Sequence, residues 1–122
     1  MMNTSDLFNL KGKTAIITGG ANGIGKATAK LLAKHGANIS IGDFNLEDAK
    51  NTAKEIEALG LRAIAVECNV LKDADLVNLV DTTVKELGGI HILINNAGGG
   101  GGGRANPFKI SVDEIKRDYE LN

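Results

Sequence analysis

The sequence predicts a doubly wound α/β fold, in which helices cover both faces of a parallel β-sheet to give three α/β/α layers. Short runs rich in Ile and Val recur along the chain, as is typical of buried strands. Segments with apolar residues at helical spacing lie between these runs, and each segment ends at a glycine. This alternation of strands and helices favours parallel pairing through right-handed crossovers.

The predicted elements follow one another in a regular order. Strands are predicted at 14–18, 38–42, 62–66 and 90–94. The apolar positions of the first helix are Ile24, Ala27, Leu31 and Leu32. Those of the second and third helices are Leu46, Ala49, Ala53 and Ile56, then Leu76, Val80, Val84 and Leu87. The closing glycines are Gly36, Gly60 and Gly88. Asn45 is the predicted N-cap of the second helix, and a capping box at 111–114 predicts a further helix.

Composition excludes several classes of protein. The 122 residues carry 14 Lys plus Arg and 15 Asp plus Glu, so no basic excess favours a nucleic-acid partner. No apolar run approaches the roughly 18 residues of a membrane span. The single cysteine, Cys68, permits no internal disulfide and fits a reducing compartment, so we expect a cytoplasmic protein. The two histidines and Cys68 do not predict a metal site. The length predicts one domain, 1–122.

A glycine-rich turn, Thr18-Gly-Gly-Ala-Asn-Gly-Ile-Gly25, connects the first predicted strand to the first helix. A helix N-terminus offers free N–H groups and a partial positive charge, and glycines allow a pyrophosphate to approach the backbone. The spacing departs from the G-x-G-x-x-G dinucleotide fingerprint, so an ordinary glycine-rich turn remains an alternative.

A second alternative is a P-loop that binds a nucleoside triphosphate. Gly20, Gly25 and Lys26 fit G-x-x-x-x-G-K, but Ala27 stands where a Ser or Thr must hold magnesium. Thr28 is one position late, which rotates it by about 100° on a helix. This alternative is therefore the weaker one.

Asp43, at the end of the second predicted strand, favours a dinucleotide. An acidic residue about 20 positions after the turn binds the adenosine ribose hydroxyls and repels a 2′-phosphate, which indicates NAD rather than NADP. A purely structural role, as a carboxylate before the second helix, is compatible with this one. The cations Lys26 and Arg62 leave NADP open.

Taken together, these residues resemble the short-chain dehydrogenase/reductase family. The turn Thr18-Gly-x-x-x-Gly-Ile-Gly25 is similar to its cofactor motif, and Asn95-Asn96-Ala97-Gly98 is similar to its second signature. The resemblance implies a Rossmann-type sheet of order 3-2-1-4 and hydride transfer between NAD and a secondary alcohol or ketone. Two segments are particularly similar to bacterial 7α-hydroxysteroid dehydrogenases: the one from the glycine run to Pro107-Phe108, and 119–122. This similarity implies a hydroxysteroid substrate.

The resemblance also implies a role for each site residue. The pyrophosphate turn comprises Gly19, Asn22, Gly23, Ile24 and Gly25. Asp43 holds the ribose with Phe44 beside it, and Asn69 and Val70 contact the adenine. Asn95, Asn96, Ala97 and Gly98 line the sheet edge, and Asn122 is the asparagine of the catalytic tetrad. The run 98–103 is either a substrate-side loop or a cofactor contact.

The sequence departs from the family at the other catalytic groups. The family needs a Ser and a Tyr-x-x-x-Lys pair, whereas the single tyrosine, Tyr119, has no lysine four positions on. An order of 3-2-1-4 also leaves the apolar strand 90–94 as an open edge. We therefore expect the N-terminal, cofactor-binding half of a longer enzyme that is a homodimer or homotetramer when complete. The alternative is a non-catalytic NAD-binding fragment.

Overall fold

A computed structural model describes residues 8–97, and its elements alternate as the sequence predicts. The strands are β1 (Thr14–Thr18), β2 (Asn38–Asp43), β3 (Ala63–Glu67) and β4 (Ile92–Asn95). The helices are α1 (Gly23–Lys34), α2 (Leu46–Glu57) and α3 (Asp73–Leu87). The predicted N-cap of α2 is confirmed, since the Asn45 side chain accepts from the Asp48 N–H at 3.0 Å. The helix predicted after 111 lies outside the described residues.

β4 begins two residues later than predicted, at Ile92 rather than Ile90. The reason lies in His91, whose N–H donates to the Thr14 carbonyl at 2.9 Å. Its ring Nδ1 accepts from the Thr14 N–H at 3.0 Å. A side-chain nitrogen thus replaces a backbone carbonyl at this point, and the regular ladder starts only after it.

The four strands form one parallel sheet of order β3-β2-β1-β4, which confirms the predicted topology. β1 lies at the centre, where Ile16 pairs with Ser40 on one side and Leu93 on the other. The chain order reverses between β1 and β4. In open α/β sheets, ligands bind beyond the carboxyl ends of the strands at this reversal.

Two apolar cores lie on opposite faces of the sheet. On one face, the buried residues of β1 and β2 pack with α1 and α2, including Ala15, Ile17, Ile39, Ile41, Ala29, Ala33 and Ile56. On the other face, Ile16 and Val66 pack with Leu76, Leu79 and Val80 of α3. This arrangement confirms the three-layer prediction. In the described part of the chain, no helix has the length and apolarity to cross a bilayer.

The apolar face predicted for α1 is not the face that packs on the sheet. The buried residues are Gly25, Ala29 and Ala33, whereas Ile24 is 78% exposed and Leu31 is 56% exposed. Small side chains spaced four residues apart let the helix backbone approach the strands closely, which larger side chains prevent. Of the large apolar residues predicted for this face, Leu32 packs against the core, whereas Ile24 and Leu31 are exposed.

Candidate functional site

The carboxyl ends of β1, β2 and β4 bring the predicted site residues to one edge of the sheet. Gly19 follows β1, Asp43 ends β2 and Asn95 ends β4. The Gly19 N–H donates to the Gly42 carbonyl at 2.8 Å, which ties the glycine turn to β2. The turn and the end of β4 therefore meet where the chain order of the sheet reverses.

Two glycines of the turn permit its close contacts. Gly19 has φ +68°, and a Cβ there would lie 2.9 Å from the Ala97 Cα. A Cβ on Gly25 would overlap the Gly19 carbonyl oxygen and lie 2.6 Å from Asn96 Nδ2. These two positions accept only glycine, because backbone atoms of the turn and the 95–97 segment occupy the space of a side chain.

Gly23 differs from both, because its surroundings are open. It has φ +60°, and apart from its chain neighbours and the backbone of its own helix, no described atom lies within 4 Å of a Cβ built there. This open space adjoins the N-terminus of α1. The turn thus has a closely packed side, at Gly19 and Gly25, and an accessible side, at Gly23.

The Thr18 hydroxyl joins the end of β4 to the glycine turn. It donates to Asn95 Oδ1 at 2.8 Å and accepts from the N–H groups of Asn96 and Ala97 at 3.1 and 3.2 Å. Asn96 Nδ2 donates to the Gly19 carbonyl at 3.1 Å. Side chains of the turn and of the Asn95-Asn96-Ala97 segment therefore both make hydrogen bonds that fix the segment against the turn.

The Asp43 carboxylate holds the turn from the side of β2. Its Oδ2 accepts from the Ala21 N–H at 3.1 Å and its Oδ1 from the Asn45 N–H at 2.9 Å. The Thr52 hydroxyl of α2 donates to the Ala21 carbonyl at 2.9 Å. Because a carboxylate oxygen can accept more than one hydrogen bond, each Asp43 oxygen can also accept from a ligand hydroxyl. The structural role considered for Asp43 is therefore present, and it leaves room for the ribose role.

The N-terminus of α1 is arranged to receive an anion. Of the three helices in the described part, α1 alone lacks both an acidic residue in its first turn and a side-chain cap. Its N-cap residue, Asn22, instead donates from Nδ2 to Asp48 Oδ2 at 3.0 Å. The first N–H groups of a helix have no intrahelical acceptor, and they favour negative charge. This end of α1, beside the open space at Gly23, fits a pyrophosphate.

The cations near the turn are paired with a carboxylate on α2. Lys26 Nζ lies 2.8 Å from Glu55 Oε2, and Lys30 Nζ lies 3.3 Å from Glu55 Oε1. These hydrogen bonds, first from Lys26 and then from Lys30, lower the pKa of Glu55. The Thr28 hydroxyl donates to the Ile24 carbonyl at 2.8 Å. A P-loop needs its Lys and hydroxyl directed at phosphate and magnesium, so this geometry disfavours that alternative.

The residues expected near the adenine lie at the outer end of the same edge. Phe44 is 76% exposed and Val70 is half-buried. Asn69 Oδ1, expected to accept from the adenine amino group, already accepts from the Leu71 N–H at 3.0 Å. It therefore also shapes the loop after β3, and its second lone pair remains for a ligand.

Cys68, also at this edge, is buried. Burial raises the pKa of its thiol to about 11, and the negative charges of Asp75 and Asp43 add to the rise. It packs in the core beside α3 as a neutral side chain.

Reasoning from the sequence missed three residues that organise the site: Thr18 and Thr52, which fix the turn, and Asp48, which binds Asn22. Thr18 stands in the glycine motif of the sequence, but nothing in that motif indicates that its hydroxyl binds the end of β4. Gly98 and Asn122 lie outside the described residues. Within 8–97, no group of three His, Cys, Asp or Glu side chains is placed to hold a metal ion.

Comparison with known proteins identifies the family. The family model for short chain dehydrogenases matches residues 13–122. The chain is 41% identical to 7alpha-hydroxysteroid dehydrogenase of Escherichia coli (strain K12), over 99% of this chain and 46% of that protein. It is 43% identical to cyclohexanol dehydrogenase of Acinetobacter sp. (strain SE19), over 97% of this chain and 46% of that protein.

The fold matches solved structures of the same kind. With 7 alpha-hydroxysteroid dehydrogenase complexed with NADH and 7-oxo glycochenodeoxycholic acid, the TM-score is 0.77 at 40% identity. That match covers 100% of this chain and 46% of the other. The chain thus spans about half the length of the relatives that it matches.

Proposed function

The chain belongs to the short-chain dehydrogenase family, and from this premise we propose that it is the cofactor-binding part of an NAD-dependent oxidoreductase. The observation that carries the proposal is the N-terminus of α1, which faces open space at Gly23 and has neither an acidic residue in its first turn nor a side-chain cap. When bound, NAD supplies a nicotinamide that accepts or donates hydride. The protein would bind and orient this group and would disfavour a cofactor that carries a 2′-phosphate.

The residues of this chain divide that task among them. The N–H groups of Gly23, Ile24 and Gly25 would bind the pyrophosphate at the start of α1. Asp43 would accept from the adenosine ribose, and its charge would repel a 2′-phosphate. Lys26, the nearest cation along the turn, is paired with Glu55 rather than free for such a phosphate. This pairing supports NAD over NADP. We also propose that 1–122 are the N-terminal portion of a single Rossmann-type domain.

The substrate we propose is a secondary alcohol or ketone, with a hydroxysteroid as the leading candidate. The relatives named above include a 7alpha-hydroxysteroid dehydrogenase and a cyclohexanol dehydrogenase, which share a ring-borne alcohol. The solved 7 alpha-hydroxysteroid dehydrogenase with 7-oxo glycochenodeoxycholic acid supports the hydroxysteroid within that class. Asn122 would be the first catalytic residue of the chain, and its partners in acid–base catalysis would come from a further segment.

Isothermal titration of the 122-residue chain with NADH, NADPH and Mg-ATP tests the cofactor. We expect NADH to bind most tightly of the three. Asp43→Ala should weaken NADH by about 10- to 100-fold, because charge-assisted hydrogen bonds contribute about 1.5–3 kcal/mol. The affinity for NADPH should fall less, because the variant also removes the repulsion between the Asp43 carboxylate and the 2′-phosphate.

Asp73→Ala is the matched control, because it removes an exposed acid from the first turn of α3. It should leave both affinities unchanged. Tighter binding of Mg-ATP than of NADH would contradict the dinucleotide site. An unchanged ratio of NADPH to NADH affinity in Asp43→Ala would contradict the role of Asp43.

A further inference from the structure

Two asparagines occupy the N-cap positions of neighbouring helices and behave in opposite ways. Asn45 caps α2 in the usual manner, with its side-chain oxygen on the Asp48 N–H at 3.0 Å. Asn22 has the extended backbone of a cap, φ −146° and ψ 165°, yet its side chain makes no capping hydrogen bond. Asn is among the strongest N-cap residues, so a competing interaction must hold the Asn22 side chain.

The competing interaction comes from Asp48, whose Oδ2 accepts from Asn22 Nδ2 at 3.0 Å. Asp48 is well fixed, because its own N–H is bound to Asn45 and its side chain is half-buried in the first turn of α2. One turn later, Thr52 binds the Ala21 carbonyl. The neighbouring helix thus holds both Ala21 and the Asn22 side chain.

The Asn22 side chain and a pyrophosphate would compete for the same donors. A capping Asn accepts from the second or third N–H of its helix, which in α1 belong to Ile24 and Gly25. These are N–H groups that the proposed function assigns to the pyrophosphate. If Asn22 capped α1, the cofactor would have to displace its carboxamide.

We propose that Asp48 is a positioning residue for the cofactor, which holds the Asn22 side chain on α2 and thereby keeps the Ile24 and Gly25 N–H groups free. The inference rests on the proposed function, since the bound anion is the pyrophosphate of NAD. Asp48 itself touches no cofactor atom in this role. It acts by preventing a local hydrogen bond that the sequence would otherwise favour.

The expected size of the effect follows from the strength of a cap. An N-cap hydrogen bond of about 1 kcal/mol corresponds to about a fivefold excess of the capped form. Asp48→Ala releases Asn22 and should therefore raise the Kd for NADH about fivefold. Asp48→Asn keeps an oxygen acceptor for Asn22 Nδ2 and removes a negative charge near the pyrophosphate. That variant should bind NADH as tightly as the unsubstituted chain, or more tightly.

Titration of NADH into the 122-residue chain and its variants tests the inference by a double-mutant cycle. The variants are Asp48→Ala, Asp48→Asn, Asn22→Ala and the double variant Asn22→Ala/Asp48→Ala. Glu47→Ala is the matched control, since it removes an exposed acid from the same turn of α2 without touching Asn22. In the Asn22→Ala background, Asp48→Ala should no longer raise the Kd, because no carboxamide remains to cap α1.

Each outcome decides the matter. The inference is supported if Asp48→Ala lowers the affinity for NADH fivefold, while Asp48→Asn does not, and if Asp48→Ala has no such effect in the Asn22→Ala background. An Asp48→Ala variant that binds NADH as well as the unsubstituted chain overturns it, as does an equal loss in the Asn22→Ala background. A common gain in Asp48→Ala, Asp48→Asn and Glu47→Ala would mean that only charge matters, and also overturns it. If the unsubstituted chain fails to bind NADH, the proposed function fails first, and this inference falls with it.

Discussion

The Thr18 hydroxyl offers a direct test of how the glycine turn is held. Thr18 is fully buried at the end of β1, and its Oγ1 makes three hydrogen bonds to the Asn95-Asn96-Ala97 segment. Thr18→Val replaces the hydroxyl with a methyl group of similar size. The substitution therefore removes these hydrogen bonds and leaves the packing of the strand nearly unchanged.

We expect Thr18→Val to lower the free energy of unfolding by about 3 kcal/mol, because each hydrogen bond contributes about 1 kcal/mol. A loss of that size is a large fraction of the roughly 5–15 kcal/mol that stabilises a domain. Urea denaturation followed by circular dichroism measures it. NADH affinity should fall as well, because Gly19 of the turn packs against Asn96 and Ala97, which the Thr18 hydroxyl holds in place.

Two variants serve as controls. Thr18→Ser keeps the hydroxyl and loses one methyl group, so it should cost about 1 kcal/mol. Thr52→Val removes a single hydrogen bond, to the Ala21 carbonyl, and should also cost about 1 kcal/mol. A Thr18→Val variant within about 0.5 kcal/mol of the unsubstituted chain, or one that costs no more than Thr18→Ser, would contradict the role given to the hydroxyl.

Three further predictions concern other parts of the same edge and the core beneath it. Gly25→Ala should lower the free energy of unfolding, measured by thermal melts, by about 2 kcal/mol or more, because its Cβ overlaps the Gly19 carbonyl. Gly23→Ala, measured in the same way, should cost only about 1 kcal/mol of left-handed strain. The raised pKa of Cys68, about 11, should make its reaction with a thiol reagent slow at pH 8 and faster with each pH unit up to about 11. Since the unfolded thiol loses its proton first, stability should also fall between about pH 9 and pH 11, whereas Cys68→Ala should lack this slope. Ser40→Ala should cost about 1–3 kcal/mol in urea denaturation, because its Oγ pairs with the buried Thr83 hydroxyl at 2.7 Å; a change below about 0.3 kcal/mol would contradict this.

The order of the elements was predictable because each depends on a local pattern. Short Ile-rich runs require burial on both faces, and glycine allows the positive φ with which helices end, as at Gly36, Gly60 and Gly88. The packed face of α1 was not predictable from hydrophobicity alone. Size decides it there, because Gly25, Ala29 and Ala33 permit a close approach that Leu31 does not. The start of β4 depends on a hydrogen bond to the ring nitrogen of His91, and the spacing of apolar residues in the sequence does not indicate this bond.

The site was predictable where the chemistry belongs to one segment. Glycines between a strand and a helix indicate a phosphate turn by themselves, and Asp43 indicates a ribose by its distance along the chain. The contacts that hold this turn join segments that are distant in sequence. Thr18 binds residues that lie 77 to 79 positions away, and Asn22 binds Asp48 across 26 positions. No local pattern reports such pairs.

The side chains at this edge act mainly on the protein itself, and this has a consequence for the proposed binding site. Asp43, Thr52 and Asn96 each make a hydrogen bond to the backbone of the turn. Thr18, at the start of the turn, accepts from the backbone N–H of Asn96. What the turn offers to an anion is then a set of backbone N–H groups, which only a substitution by proline would remove. Apart from Asp43, which would bind the ribose directly, side-chain variants around the turn should therefore change affinity through the position of the turn or through competition for its donors. Variants that loosen the turn, such as Thr18→Val, should lose stability and affinity together, whereas Asp48→Ala should lose mainly affinity.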